Sequence, residues 1–94
     1  MDKVLVLYTM KGCPWCDLMK KKLREENIKF VNRDIEKYQQ EYDTFVKVTK
    51  SELIPAFMII EVVDDEQTPR IYVPEKDFND IDQGVSIIKE HFKK

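Results

Sequence analysis

Cysteine, histidine and tryptophan are scarce in this chain, and their scarcity narrows its chemistry. Among 94 residues there are two cysteines, one histidine and one tryptophan. A structural zinc site wants four ligands, and Cys13, Cys16 and a remote His91 do not supply them, so no metal site is expected. No apolar run approaches the roughly 20 residues of a membrane-spanning helix. The net charge of −2 gives no general pull toward nucleic acid. Met1-Asp2-Lys3 leads straight into an apolar stretch without a signal-peptide pattern. The expectation is a cytoplasmic monomer without membrane or nucleic-acid partners. No repeat, linker or low-complexity run divides the chain, so residues 1–94 read as one domain. Hydrophobic residues are 43% and charged residues 36%, which suits a small soluble fold with its own core.

Both cysteines fall in one stretch, Lys11-Gly12-Cys13-Pro14-Trp15-Cys16. In the cytosol a lone Cys-x-x-Cys is catalytic or metal-binding more often than a structural staple. The apolar run Val4-Leu5-Val6-Leu7-Tyr8 before it reads as a buried strand. The segment after it reads as a helix. Pro14 suits the first helical position, where its missing N–H is no loss, and that makes Cys13 the N-cap. A thiolate there faces the free N–H groups of the first turn and the positive end of the helix dipole. Lys11 adds a positive charge nearby. Both effects raise the thiolate fraction, so Cys13 is the expected nucleophile. Cys16, one turn on, is within disulfide reach and is the expected resolving thiol. Pro14 limits how the loop relaxes when a disulfide opens, and so tunes its reduction potential.

The rest of the chain alternates recognisably. Residues 3–8 form the first strand and 14–27 the first helix, with Leu18, Met19 and Leu23 inward and Lys20, Lys21, Lys22 and Arg24 wet. Residues 28–34 form a second strand, parallel to the first because a helix joins them. Residues 36–48 form a second helix, with Tyr38, Tyr42, Phe45, Val46 and Thr49 as its inner stripe. A loop runs to Ile54-Pro55. Residues 56–63 form a third strand, 64–69 a polar turn, and 70–73 an antiparallel fourth strand. Residues 80–92 form a third helix, with Ile81, Val85, Ile88 and Phe92 inward. Gly84 weakens that helix by roughly 1 kcal/mol relative to Ala, which a close contact with the sheet would explain. His91 suits a helix C-terminus and has no second histidine or acidic partner nearby at ligand spacing.

The order β-α-β-α-β-β-α, with Cys-x-x-Cys at the first strand-to-helix turn, resembles the thioredoxin fold: a four-stranded mixed sheet flanked by three helices. Within it the chain most resembles a glutaredoxin, over nearly its whole length. Cys13-Pro14-Trp15-Cys16 looks like the dithiol glutaredoxin site with Trp in place of Tyr. Leu53-Ile54-Pro55 stands where the family has Thr-Val-Pro, whose proline is cis. Phe78-Asn79-Asp80-Ile81 is similar to the segment where the family's third helix begins and holds glutathione.

The resemblance implies glutathione as co-substrate, with no tightly bound cofactor. A cis Pro55 leaves the N–H and C=O of Ile54 outward, where glutathione pairs as a short extra strand. Asp80 and Asn79 would bind its γ-glutamyl ammonium, Lys11 a carboxylate, and an exposed Trp15 would pack on it. There are departures. Lys76-Asp77 stands in place of a Gly-Gly pair whose glycines let backbone approach the ligand. Met10 stands where a basic residue is usual, with Lys11 one residue later. The stretch from Pro55 to Phe78 is longer by on the order of ten residues, which reads as an extended hairpin.

The function implied is glutathione-dependent reduction of protein disulfides and glutathione mixed disulfides, at a potential of roughly −200 to −230 mV. Client proteins, ribonucleotide reductase among them by family analogy, would be the partners. A thioredoxin-like reductase fed by a flavoprotein is the alternative that Lys76-Asp77 motivates. An iron–sulfur cluster module using Cys13 is a third reading, which Pro14 disfavours. Because removal of glutathione from a mixed disulfide needs one thiol, Cys16→Ser is expected to retain that activity and Cys13→Ser to lose it, measured on a glutathionylated peptide.

Overall fold

The computed structural model describes residues 2–92. Strand β1 (Asp2–Thr9) leads into helix α1 (Pro14–Glu25), strand β2 (Val31–Asp34) and helix α2 (Gln39–Thr49). A hairpin of β3 (Ala56–Val63) and β4 (Glu66–Tyr72) follows, and helix α3 (Ile81–Phe92) is the last element among the described residues. The sheet order is β2-β1-β3-β4. β1 runs parallel to β2, with Val6 opposite Val31, and antiparallel to β3, with Leu5 opposite Ile59. β3 and β4 are antiparallel, with Phe57 opposite Tyr72.

Alternation along the strands builds two cores. Leu5 and Leu7 of β1 join Phe57 and Ile59 of β3 on one face, where Met19 and Leu23 of α1 and Val85 and Ile88 of α3 cover them. Val6, Tyr8 and Ala56 point to the other face, under Phe45 of α2. A phenol buried there resists ionisation: burial, then the neighbouring Glu41, push the Tyr8 pKa far above its usual value.

Several boundaries differ from the sequence expectation, each for a local reason. α1 stops at Glu25 rather than Asn27, because Asn27 adopts a left-handed φ of 58°. Ile28 and Phe30 precede β2 instead of lying in it; the Ile28 N–H bonds the Leu23 carbonyl, and the side chain packs against the helices. α2 starts three residues late. The Asp34 carboxylate accepts the Glu36 N–H at 2.9 Å, and the Asp34 carbonyl accepts from Lys37 and Tyr38, making a turn first. Tyr38 therefore leaves the inner stripe; it is exposed, with the Arg33 guanidinium 4.5 Å from its ring centre.

The expected six-residue polar turn is two residues long. Asp64 and Asp65 both take positive φ, 52° and 67°, as a tight hairpin turn with strand-matched twist requires. Residues 66–69 pair as strand, and Pro69 fits because β4 is an edge strand. Gly84 answers to a helix, not to the sheet. A Cβ there would lie 2.8 Å from Met19 Cε and 3.2 Å from the Phe78 ring, so the glycine lets α3 approach α1 and the Phe78 loop. His91 has an acid beside it after all. Its Nδ1 lies 3.9 Å from Glu61 Oε1, and its Nε2 lies 3.0 Å from the Tyr72 hydroxyl. These residues are distant in sequence and are brought together by the sheet.

Asp65→Gly is expected to raise stability by about 0.5–1 kcal/mol, since glycine holds that φ without steric cost; urea titration of both proteins checks it.

Candidate active site

β1 ends at Thr9, whose hydroxyl donates to Asn32 Oδ1 at 2.6 Å and whose carbonyl accepts the Ile35 N–H. That pins the strand end against β2. The chain then reverses over Met10, Lys11 and Gly12, closed by the Cys13 N–H on the Met10 carbonyl at 3.2 Å. Gly12 has φ +81°, a conformation that side chains resist. Cys13 follows in extended conformation as the N-cap of α1, with Pro14 at the start of the helix. Its sulfur accepts the Cys16 N–H at 3.1 Å. Cys13 and Cys16 are disulfide-bonded, with Cα atoms 5.2 Å apart. Cys13 keeps 8% of its surface exposed and Cys16 none. One sulfur is thus open to a partner, and the other waits behind it.

A groove of about 330 Å³ lies next to this turn. It brings together Trp15, Ile54, Pro55, Asn79 and Asp80, five of the six residues the resemblance implies for glutathione. Lys11, the sixth, is exposed and is not among the lining residues. Trp15 is 62% exposed. The Ile54–Pro55 peptide is cis. The loop that delivers it is braced: Tyr42 donates its hydroxyl to the Glu52 carbonyl at 2.9 Å, Ser51 N–H bonds Thr49 Oγ1, and Leu53 N–H bonds Ser51 Oγ. Burial, then Glu52 and Asp43, raise the Tyr42 pKa, keeping that donor protonated.

Asp80 is the cap of α3: its Oδ1 accepts the Gln83 N–H at 2.8 Å, while Gln83 Oε1 accepts the Asn79 N–H at 2.7 Å. Asp82 instead pairs with Lys22 of α1 at 2.8 Å. Lys76 and Asp77 face away from the groove. Asp77 Oδ2 accepts the Val73 N–H at 2.8 Å, and Lys76 Nζ reaches the Thr49 carbonyl at 3.5 Å. Leu53, Phe78 and Ile81, which the resemblance quotes in its motifs without a role, also line the groove; the residues that sequence reasoning passed over are Pro74 and, above all, Glu75. Glu75 has φ 70°. Its place just before the missing Gly-Gly pair is the signal that was available.

A family model described as Glutaredoxin matches residues 5–78. Among solved structures, a thioredoxin from Trichomonas vaginalis is similar at a TM-score of 0.63 and 18% identity, over 97% of this chain and 77% of its own. A thioredoxin-like protein crystallised as a mutant gives 0.51 and 22%, over 68% of this chain and 81% of its own. A malarial protein gives 0.53 and 11%, over 97% and 98%. These likenesses show the thioredoxin fold. Comparison with curated proteins finds no significant match.

In the reduced protein, iodoacetamide is expected to modify Cys13 at least about tenfold faster than Cys16, because access and thiolate character both favour it. Mass spectrometry of the digested protein reads the ratio.

Proposed function

Because the chain belongs to the glutaredoxin family, we propose that it reduces protein disulfides and glutathione mixed disulfides with glutathione as its electron donor. Family and cysteine pair together make it a thiol–disulfide oxidoreductase; glutathione as reductant is the proposed part. The observation that carries the reading is the Cys13–Cys16 pair at the start of α1, beside a groove that holds a cis Ile54–Pro55 peptide.

The chemistry follows from the geometry. The Cys13 thiolate, held by the Cys16 N–H and the helix N-terminus, attacks one sulfur of the client disulfide. A Cys13–client bond forms, the client's own disulfide breaks, and the leaving thiolate takes a proton from water. Cys16, deprotonated, then attacks the Cys13 sulfur and releases the second client thiol. The client has gained two electrons and two protons, and the protein holds the Cys13–Cys16 disulfide. One glutathione thiolate opens that disulfide at Cys13, and a second releases glutathione disulfide and restores both thiols. In this reading glutathione would lie along the groove lined by Trp15, Ile54 and Pro55, with the Asp80 carboxylate opposite its ammonium. The same reading takes the protein as cytoplasmic and monomeric, with no tightly bound cofactor.

The absence of Lys11 from the groove lining is the observation that favours a second reading, a protein-disulfide reductase fed by a flavoprotein. One assay separates the two. Pure protein is given a glutathione mixed disulfide, with glutathione and glutathione reductase supplying electrons. A Cys13-dependent rate at least about a hundredfold above the uncatalysed exchange is expected. No rate above background, with the disulfide still reducible by dithiothreitol, would reject glutathione as donor and leave the flavoprotein reading.

A further inference from the structure

We propose that Glu75 is a charge-selecting residue of the client groove, and that the client it selects is an extended polypeptide segment with a basic side chain beside its disulfide cysteine. The proposal rests on the oxidoreductase reading above.

The groove beside the cysteines does not end at Glu75. A second hollow, of about 690 Å³, lies between the C-terminal end of α2 and the loop after β4. The two share Leu53, Pro74 and Glu75. A ligand that leaves the cis-proline side of the groove crosses this saddle into the second hollow. Together the hollows accommodate a longer segment than glutathione.

The saddle has a definite chemistry. Leu53 is exposed and apolar, Pro74 has no N–H, and Glu75 is an exposed acid. Among the described residues no cation pairs with Glu75. Its neighbour Lys76 reaches the Thr49 carbonyl at 3.5 Å and, with Lys50, lines the second hollow, so Glu75 acts without an opposing cation on the side of the saddle nearest the cysteines. The backbone presenting Glu75 is locked, with its N–H on the Phe78 carbonyl at 2.8 Å and Asp77 closing the loop on Val73 through both its N–H and its carboxylate. The groove nearest the cysteines is lined by Glu75 and Asp80 and by no lysine, arginine or histidine. A cation on the client meets an acid carried on a held backbone there, whereas a client acid meets repulsion.

The test compares symmetrical disulfides of short peptides that differ only in a lysine or a glutamate beside the cysteine. The reduced full chain acts on each, the released peptide thiol is measured, and rates are divided by those of dithiothreitol to remove intrinsic reactivity. The expected preference for the lysine peptide is about two- to fivefold at low salt, the range of one exposed ion pair, shrinking as salt rises. Glu75→Gln should bring the ratio near one, and Glu75→Lys should invert it. The glutamine variant alone decides if the lysine variant does not fold. A wild-type ratio of one, or a ratio unchanged in the variants, overturns the proposal. Turnover of a glutathione mixed disulfide with no peptide reduced also overturns it and leaves the family reading intact. Reduction of neither substrate overturns the oxidoreductase reading itself.

Discussion

The working end of this protein depends on one hydrogen bond, from the Cys16 N–H to the Cys13 sulfur. It aligns the sulfur with the start of α1, and once the disulfide opens and Cys13 is a thiolate, the same bond becomes charge-assisted, a class worth about 1.5–3 kcal/mol. Its geometry depends on much else. Gly12 permits the turn, Pro14 starts the helix, and the Cys13 carbonyl begins the helical ladder by accepting the Asp17 N–H. Met19 and Leu23, fully buried against the sheet, keep α1 from sliding along its axis. The reactive sulfur is therefore positioned by the core, although it sits on a loop.

The opposite wall of the groove is held differently. No ladder passes through residues 50–55. Side chains take its place, in the run from Thr49 to Ser51 to Leu53, with Tyr42 reaching across from α2. Lys50, left-handed at φ 57°, ends α2 and turns the chain toward the cis proline. The loop after β4 uses the same device, with the Asp77 carboxylate taking a backbone N–H that would otherwise lack a partner. Short polar side chains suit this work because they reach their own backbone a few residues away.

What the sequence made legible was the part governed by local rules. The apolar run from Val4 to Tyr8 marked a buried strand, and the proline at the helix start identified Cys13 as a cap. Helical spacing marked Val85 and Ile88 as core. What stayed hidden depended on contacts across the fold. Gly84 looked like a sheet contact because its true neighbours, Met19 and Phe78, come from other elements. Glu61 and His91 meet only once β3 and α3 are packed. The hairpin turn was hidden by its chemistry. Aspartate at both positive-φ positions, followed by a proline in the strand, reads as a long polar loop until the edge position of β4 is known.

The stretch from Pro74 to Asp82 shows why composition misjudges a site. It carries four acids and one lysine, which suggests a strongly anionic lip. Three of those acids are already engaged. Asp77 is tied to the Val73 N–H, Asp80 shares its charge with the α3 terminus, and Asp82 is paired with Lys22. A carboxylate taken up by backbone donors or an ammonium projects less field outward than a free one. The field in the groove is then set mainly by Glu75, the acid that no backbone donor or ammonium engages among the described residues, with Asp80 second. The Lys76-Asp77 departure from the family pattern follows the same logic. Those two side chains bond the loop and α2 instead of filling the groove, so the backbone approach that glycines would allow is not obstructed by them. The cost of losing glycine falls one residue earlier, where Glu75 holds a left-handed φ that an L-residue adopts only when its surroundings enforce it. Here the enforcing contacts are the Glu75 N–H on Phe78 and the Asp77 closure on Val73, so the loop's stability and the groove's charge are set by the same few bonds.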